Sequence, residues 1–438
     1  MKKFTASILI LLCFFQNSQG QPVLWEELSS MPERVSNNAV TAATVDGVPY
    51  AFSFSGIDST KSCGSTHLRS FRYNTETDIW ETIAPLPEPL DGKIAAAAST
   101  IKNKIYITGG FHIPSGCGET SSAKIHIYDP KTNEYLPNGI DMPKAIDDHV
   151  QGVWRDSLLY MITGWSNNTN VTNVQIYNPA TDVWTAGTPV PNTNDWKVFG
   201  GSGEIVGDTI YYIGGASPFC SVQTCFPPTT FLRRGIINPD NPAEITWEGS
   251  ENEAAQGYRM AASTYQNNVI WLGGSDLTFN FNGIDYNGTG GVAPNERLTL
   301  INTDTDFLYQ IEEQLPPIMD LRGMAKISEN EYIIAGGMNE NQEVVNSVFK
   351  IKIEELTAVN TTDFPKISVF PNPVTDVLII QKEGVFEAAI FDMQGRIILE
   401  KQAVSTQKMK VENLDSGVYF LRIFENGEMV GIEKIVKL

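Results

Sequence analysis

The sequence predicts an all-β protein: a six-bladed propeller followed by a small immunoglobulin-like β-sandwich. Three observations carry this. A strand-like run closing on glycine recurs six times through the middle of the chain. Each run is followed by a second apolar run and then by an aromatic residue. Beyond residue 365 the repeat gives way to short alternating strands of a different kind. The 438 residues exceed one ordinary domain, although a closed all-β ring can hold more than about 250 residues in one body.

The chain opens with Lys2-Lys3, an apolar run at 8–15 and a small-residue exit at Ser18-Gln19-Gly20, the layout of an export signal over residues 1–20 cleaved before Gln21. Its apolar run is far shorter than the ~20 residues needed to span a bilayer. Bulky Leu12 argues against lipid attachment at Cys13. No later stretch is expected to span a membrane.

The six glycine-closed runs are 50–56, 105–110, 159–164, 210–215, 269–274 and 332–337, their closing glycines 54, 54, 51, 59 and 63 residues apart. Four carry Gly-Gly, and Ser55-Gly56 and Thr163-Gly164 keep the second glycine only. Second strands such as Ile127-Tyr128-Asp129-Pro130 end in a turn signal, and Trp80, Tyr135, Trp184, Trp247 and Tyr309 open the next strand. Unit six lacks its own aromatic, whereas Trp25 stands alone before unit one. The N-terminal strand is therefore expected to complete the last blade and remove the free sheet edges. This ordering of glycine pair, tyrosine, turn and tryptophan resembles the kelch repeat family over residues 24–353, within a propeller expected at 21–356.

Four cysteines remain after the signal: Cys63, Cys117, Cys220 and Cys225. An even number in an exported chain favours disulfides, with three pairings open. Cys63 and Cys117 each lie seven residues beyond the closing glycine of adjacent blades, so a bridge between neighbouring loops is preferred, leaving Cys220 and Cys225 to close a local loop.

After a linker at 357–365, residues 366–438 resemble the type A sorting domain of the type IX secretion system. The match runs through Phe370-Pro371-Asn372-Pro373, Leu378-Ile379-Ile380, Phe391-Asp392-Met393-Gln394-Gly395-Arg396, Leu414-Asp415-Ser416-Gly417-Val418-Tyr419 and Glu433-Lys434-Ile435-Val436-Lys437. The resemblance implies a Bacteroidetes source, engagement with the type IX secretion machinery, and passage through the periplasm to the outer cell surface or the medium.

A formal charge of −20 excludes nucleic acid as a natural partner, because its phosphates would be repelled. Propellers place ligands where loops converge on the central channel. His149, Arg259 and Arg322 each stand 15 residues before the closing glycine of their blades, which predicts a shared face, with Arg34, Lys93, Asp148, Trp196 and Lys197 near equivalent positions in other blades. Blades four and five carry long insertions, a second candidate for function. The Asp/Asn-rich run at 276–288 fails the calcium-loop pattern, four histidines leave little for the copper site of kelch-type sugar oxidases, and no cofactor or metal is expected. The expected function is a non-catalytic binding module for a glycan or an extracellular protein. The alternatives are a sugar-modifying enzyme, such as the sialic acid mutarotases among six-bladed kelch propellers, with Arg259 and Arg322 as clamp and Asp148 or His149 moving protons, and a structural surface or biofilm component.

Overall fold

The structure, a computed structural model, describes residues 23–222, 224–303, 305–311, 314–354, 368–382, 384–391, 397–404, 407–425 and 428–438. The export signal, the linker and the 392–396 part of the sorting motif lie outside the described residues.

Residues 23–354 form six antiparallel blades, I to VI, each with four strands given from the inner one outward; blade II carries a short fifth strand, Thr120–Ser121, and blade III is followed by a two-stranded ribbon, Trp165–Ser166 with Thr169–Asn170. Blade I comprises Ala39–Val45, Val48–Ile57, Thr66–Asn74 and Ile79–Ile83; blade II, Ile94–Ile101, Lys104–His112, Ile125–Asp129 and Glu134–Leu136. Blade III comprises Val150–Trp154, Leu158–Ile162, Val174–Asn178 and Val183–Ala186; blade IV, Ser202–Val206, Thr209–Ile213, Phe231–Asn238 and Asn241–Glu251. Blade V comprises Ala261–Tyr265, Asn268–Leu272, Leu298–Asn302 and Phe307–Ile311. Blade VI takes Ala325–Lys326, Glu331–Ala335 and Val348–Ile353 from the end of the propeller and Val23–Leu28 from its start, in the register Trp25 to Ile351.

The glycine-closed runs are the second strands, and the aromatics mark the outermost ones. Closure into a ring follows from the packing, because every pair of neighbouring blades shares a core. Phe52, Phe54, Ile105 and Tyr128 fill the space between I and II; Ile125, Leu159 and Tyr177 between II and III; Tyr160, Ile162, Ile210 and Tyr212 between III and IV. Ile213, Val269 and Trp271 join IV to V, Ile270, Leu272, Tyr332 and Ile334 join V to VI, and Val40, Phe71, Ile333 and Val348 close VI onto I. No blade has a hydrophobic face of its own to spare, and each fully buried large side chain stabilises the ring by about 1.5–3 kcal/mol.

Two repeated polar contacts explain the sequence pattern. The outer-strand indoles of Trp25, Trp80, Trp184 and Trp247 donate to the carbonyls of Gln314, Ser29, Ile140 and Thr188 at 2.7–3.0 Å, each tying its blade to the segment that enters it from the preceding one. The glycine pairs serve blade contact directly. A Cβ on Gly214, at φ +62°, would stand 2.0 Å from the Gly257 carbonyl oxygen of the next blade, and one on Gly336, at φ +74°, 2.3 Å from that of Val35.

Both expected disulfides are present, Cys63–Cys117 between the loops of blades I and II and Cys220–Cys225 within blade IV. The first closes a separation of 54 residues, so the Cys63→Ser/Cys117→Ser double variant is expected to lose about 3–4 kcal/mol of stability on chain-entropy grounds. Urea unfolding of oxidised wild type beside the variant measures this, and an unchanged midpoint would show that the bridge is energetically idle.

The C-terminal unit pairs a three-stranded sheet (Ser368–Phe370, Val377–Gln381, Gln407–Lys410) with a four-stranded one (Ile397–Val404, Val385–Phe391, Gly417–Glu425, Glu428–Lys437). Leu378, Ile380, Phe386, Ile390, Met409, Leu421 and Ile423 form its own core, the β-sandwich that the alternation predicts.

Candidate functional site: the central channel

The inner strands of the six blades surround an axial channel, closed at one end by the backbone. Two residues ahead of the inner strand in blades I, III, IV and V, and five ahead in blade VI, stands one residue in the left-handed region: Asn37, Asp148, Gly200, Arg259 and Asp320, with Ala95 at the corresponding point of blade II. Their N–H groups reach from blade to blade. Asn37 donates to the Asp320 carbonyl (3.1 Å), Asp148 to Ala95 (3.1 Å), Gly200 to Asp148 (2.8 Å) and Arg259 to Gly200 (2.8 Å). Leu321 donates to Arg259 (3.0 Å), and the Ala95 N–H meets the Asn37 side chain (2.7 Å). The circuit runs through all six blades, with Leu321 as its donor in blade VI and the Asn37 side chain as its acceptor for blade II; the non-glycine residues held left-handed along it pay for that conformation.

Charged side chains lock this ring. Arg259, 1% exposed, holds Asp148 with Nε (3.2 Å) and Nη2 (2.7 Å) and Asp320 with Nη1 (2.9 Å). Asp320 also accepts from Ser36 (2.7 Å) and Asn37 (2.8 Å). Arg322 donates to the His149 carbonyl at 2.8 Å and lies 3.6 Å from Asp148. Burial raises the Asp320 carboxyl above its ordinary range, with Arg259 opposing. Burial, aided by the Arg322 charge, drives His149 down to about 3, so its imidazole is neutral.

The blade V insertion covers the outside of the ring. Phe279 and Tyr258 lie against the Arg259 guanidinium, at 5.5 and 5.1 Å. Phe281 crosses to pack against Ile57, Ile94, Ala95 and Phe111 of blades I and II, beside Cys63. Lys61 of blade I donates to the Asn282 carbonyl at 3.1 Å, and the Cys225 N–H of the blade IV disulfide loop to Asn287 at 2.8 Å. The long insertions thus cap the face on which the sequence placed its basic patch.

Of the eight residues singled out from sequence, the structure gathers Asp148, His149, Arg259 and Arg322 at the ring. The other four have their own settings. Lys93 is fully buried in an ion pair with Glu88 at 2.5 Å, a carboxylate that also accepts from His126 at 3.0 Å. Trp196 packs between blades III and IV against Phe231 and Trp247. Lys197 beside it is half-buried, and Arg34 is exposed. The 15-residue spacing also needs correction: the ring counterparts of Arg259 in blades III and VI are Asp148 and Asp320, because those two blades lengthen the segment before the glycine.

Inside the ring lies a cavity of about 350 Å³, lined by Thr41, Ser99, Thr100, Gln151, Ser202 and Ser263 with His149 and Arg322 at its closed end. Exposure rises away from the ring: Ala39, Val40 and Thr41 are buried while Ala42 is half-buried and Thr44 exposed, and Ala96 and Ala97 are buried while Ser99 and Thr100 are half-buried. The channel therefore opens at the opposite, hairpin end. Two further lining residues, Glu204 and Lys326, escaped the sequence reading, although each is the lone charge in an otherwise small and neutral inner strand. Burial raises Glu204 to about 7 and lowers Lys326. Among the described residues no His/Cys/Asp/Glu group could hold a metal ion, and no helix is long and apolar enough to cross a membrane.

Comparison with known proteins agrees with this architecture. Residues 95–136 match the kelch motif and residues 368–438 the secretion system C-terminal sorting domain. A kelch-like protein, terF, of Aspergillus terreus is 25% identical over 290 residues, covering 57% of this chain and 60% of that protein. Kelch-like protein 36 of Bos taurus is 21% identical over 207 residues, 46% of this chain and 30% of its own. Beta-agarase D of Zobellia galactanivorans is 39% identical over 72 residues, 16% of this chain and 15% of that enzyme. The chain thus spans well under two thirds of each of these relatives. The solved structure of YjhT superposes with a TM-score of 0.58 at 15% identity over 75% of this chain and 98% of that one, a likeness of fold.

Six stacked sheets, the glycine and tryptophan contacts and the matched motif make this a kelch-type β-propeller protein. With its C-terminal sorting domain of the type IX secretion system, it is a kelch protein built for export, of the kind implied for the Bacteroidetes.

Proposed function

We propose that the protein is an exported, non-catalytic binding propeller whose ligand, the end of a glycan or a polar molecule of similar size, enters the channel from the hairpin end. The observation that carries this reading is the cavity of about 350 Å³ on the axis, where Thr41, Ser99, Thr100, Gln151, Ser202 and Ser263 stand among small apolar residues. Its size falls at the lower end of the range of about 300–1,000 Å³ usual for small-molecule sites. Hydroxyls converging on the axis suit a polyhydroxylated ligand, and with the ring capped the channel is entered from its hairpin end. The sorting domain supports delivery to the cell surface or the medium, where glycans abound.

Binding of the full chain to a glycan array tests this, beside Ser263→Trp, which fills the channel. Binding lost in the variant is the expected result. Glycan binding that the variant keeps would move the site elsewhere on the surface.

A second reading, a sugar-modifying enzyme, is favoured by one observation: Glu204 titrates near neutrality inside the cavity, as a general acid–base must. His149, held neutral, and Asp148, locked by two arginines, are poorly placed for that role. Turnover abolished by Glu204→Gln with retained binding would establish catalysis; binding without turnover would exclude it.

A further inference from the structure

We propose that the channel is a site for a small zwitterion, one molecule carrying both an ammonium and a carboxylate, with Glu204 taking the ammonium and Lys326 the carboxylate. This rests on the reading of the channel as the ligand site and names its ligand class.

The inference comes from a contrast among the enclosed charges. Arg259 is matched by Asp148 and Asp320, Arg322 by Asp148, and Lys93 by Glu88. Glu204 and Lys326 are not matched. They come from the inner strands of blades IV and VI and flank the inner strand of blade V. The Lys326 ammonium donates to the Thr264 hydroxyl at 2.9 Å, and the Glu204 carboxylate accepts from the Ile205 N–H at 3.3 Å. No ion pair engages either side chain among the described residues.

Both groups are half-buried, and burial shifts both. Burial raises Glu204, with the Ile205 N–H and Lys326 pulling back, and burial lowers Lys326, with Glu204 and Glu329 pulling back. Each feels the other's charge across the cavity that both line, yet no ion pair joins them. An enclosed charge is costly until an opposite charge reaches it. A neutral sugar satisfies the hydroxyls and leaves both charges uncompensated. A simple cation relieves Glu204 and burdens Lys326, and a simple anion does the reverse. A zwitterion relieves both at once. Free amino acids and sugars bearing an amine and an acid share this chemistry, and Ser263 on the same wall can meet a ligand hydroxyl.

The test is calorimetry on the full chain at pH 7 with L-serine, muramic acid, glucosamine, glucuronate and glucose. The expected result is that a zwitterion, serine or muramic acid, binds at least about tenfold tighter than the three others. Glu204→Gln and Lys326→Met should each erase that preference without shifting the melting temperature by more than a few degrees. Which zwitterion wins identifies the source. If glucose, glucosamine or glucuronate binds as tightly as the zwitterions and Ser263→Trp abolishes it, the charge pairing is overturned while the channel remains the site. If none of the five binds, or Ser263→Trp leaves binding intact, both readings fall. Should Ser263→Trp fail to fold, Ser263→Cys blocked after folding with a bulky methanethiosulfonate serves in its place.

Discussion

Replacing Arg259 with methionine is expected to lower folding stability by about 3–5 kcal/mol, because it strands two buried carboxylates that share one guanidinium. Asp148 loses two hydrogen bonds and keeps Arg322 only at 3.6 Å; Asp320 retains Ser36 and Asn37 but no cation. Arg259→Lys keeps the charge yet cannot span both partners with a single ammonium, and an intermediate loss is expected. In the double variant Arg259→Met/Asp320→Asn the remaining charges, Arg322 and Asp148, still face each other at 3.6 Å, so part of the loss should be recovered. Urea denaturation of the three proteins decides this. A single variant as stable as wild type would mean that the ring stands on its backbone circuit alone. The same physics makes removal of Arg259 and Arg322 a poor probe of ligand binding, since it attacks the seal of the channel before any ligand is involved.

The second large effect is acid destabilisation from two enclosed histidines. Burial, with Arg322 nearby, holds His149 at about 3, and burial, with Arg69 nearby, holds His67 at about 3; both His67 nitrogens lack a hydrogen-bond partner in the structure. An unfolded histidine takes a proton near pH 6.5. Their stabilising contribution is therefore complete above that pH and is lost progressively as pH falls from about 6.5 toward 3. Each histidine is expected to withdraw about 2 kcal/mol between pH 7 and pH 5. Glu204 works in the opposite sense. Its folded carboxyl, raised from 4.5 to about 7, keeps a proton that the unfolded chain releases, so it adds stability as pH falls through that window. Comparing wild type, His149→Gln and Glu204→Gln by urea denaturation at pH 7 and pH 5 separates these terms. The acid loss should shrink by about 2 kcal/mol in the histidine variant and grow by a similar amount in the glutamine variant. Parallel curves for all three would refute the assignment of both groups.

The architecture was legible in the sequence wherever a repeat recorded it. Glycine pairs, third-strand tyrosines and outer-strand tryptophans recur because each blade solves the same packing problem against its neighbour, and Trp25 standing alone signalled ring closure because a blade lacked its aromatic. The Cys63–Cys117 bridge was legible for the same reason, its cysteines occupying matched positions after the glycines, and Cys220 and Cys225 were then left to each other. The site was less legible. A spacing of 15 residues grouped His149 and Arg322 with Arg259, but one or two extra residues in blades III and VI put Asp148 and Asp320 at the ring instead, and an insertion of that size leaves no mark on periodicity. Nor does periodicity say where a long loop folds: Phe279 and Phe281 read as part of a polar turn, yet they carry the blade V insertion across the channel end. Glu204 and Lys326 were passed over because inner strands are short, five residues and two here, and a single charge in so short a run looks like ordinary alternation until the ring closes around it.

The most direct test of the account is thiol accessibility inside the channel. Ser263→Cys places one free thiol on the lining, apart from the two disulfides. A small charged methanethiosulfonate reagent should label it in the folded protein, and a bound ligand should slow that labelling in proportion to its occupancy. A thiol that reacts only after unfolding, or one that a demonstrably bound ligand fails to protect, would contradict a channel open at the hairpin end and used for binding.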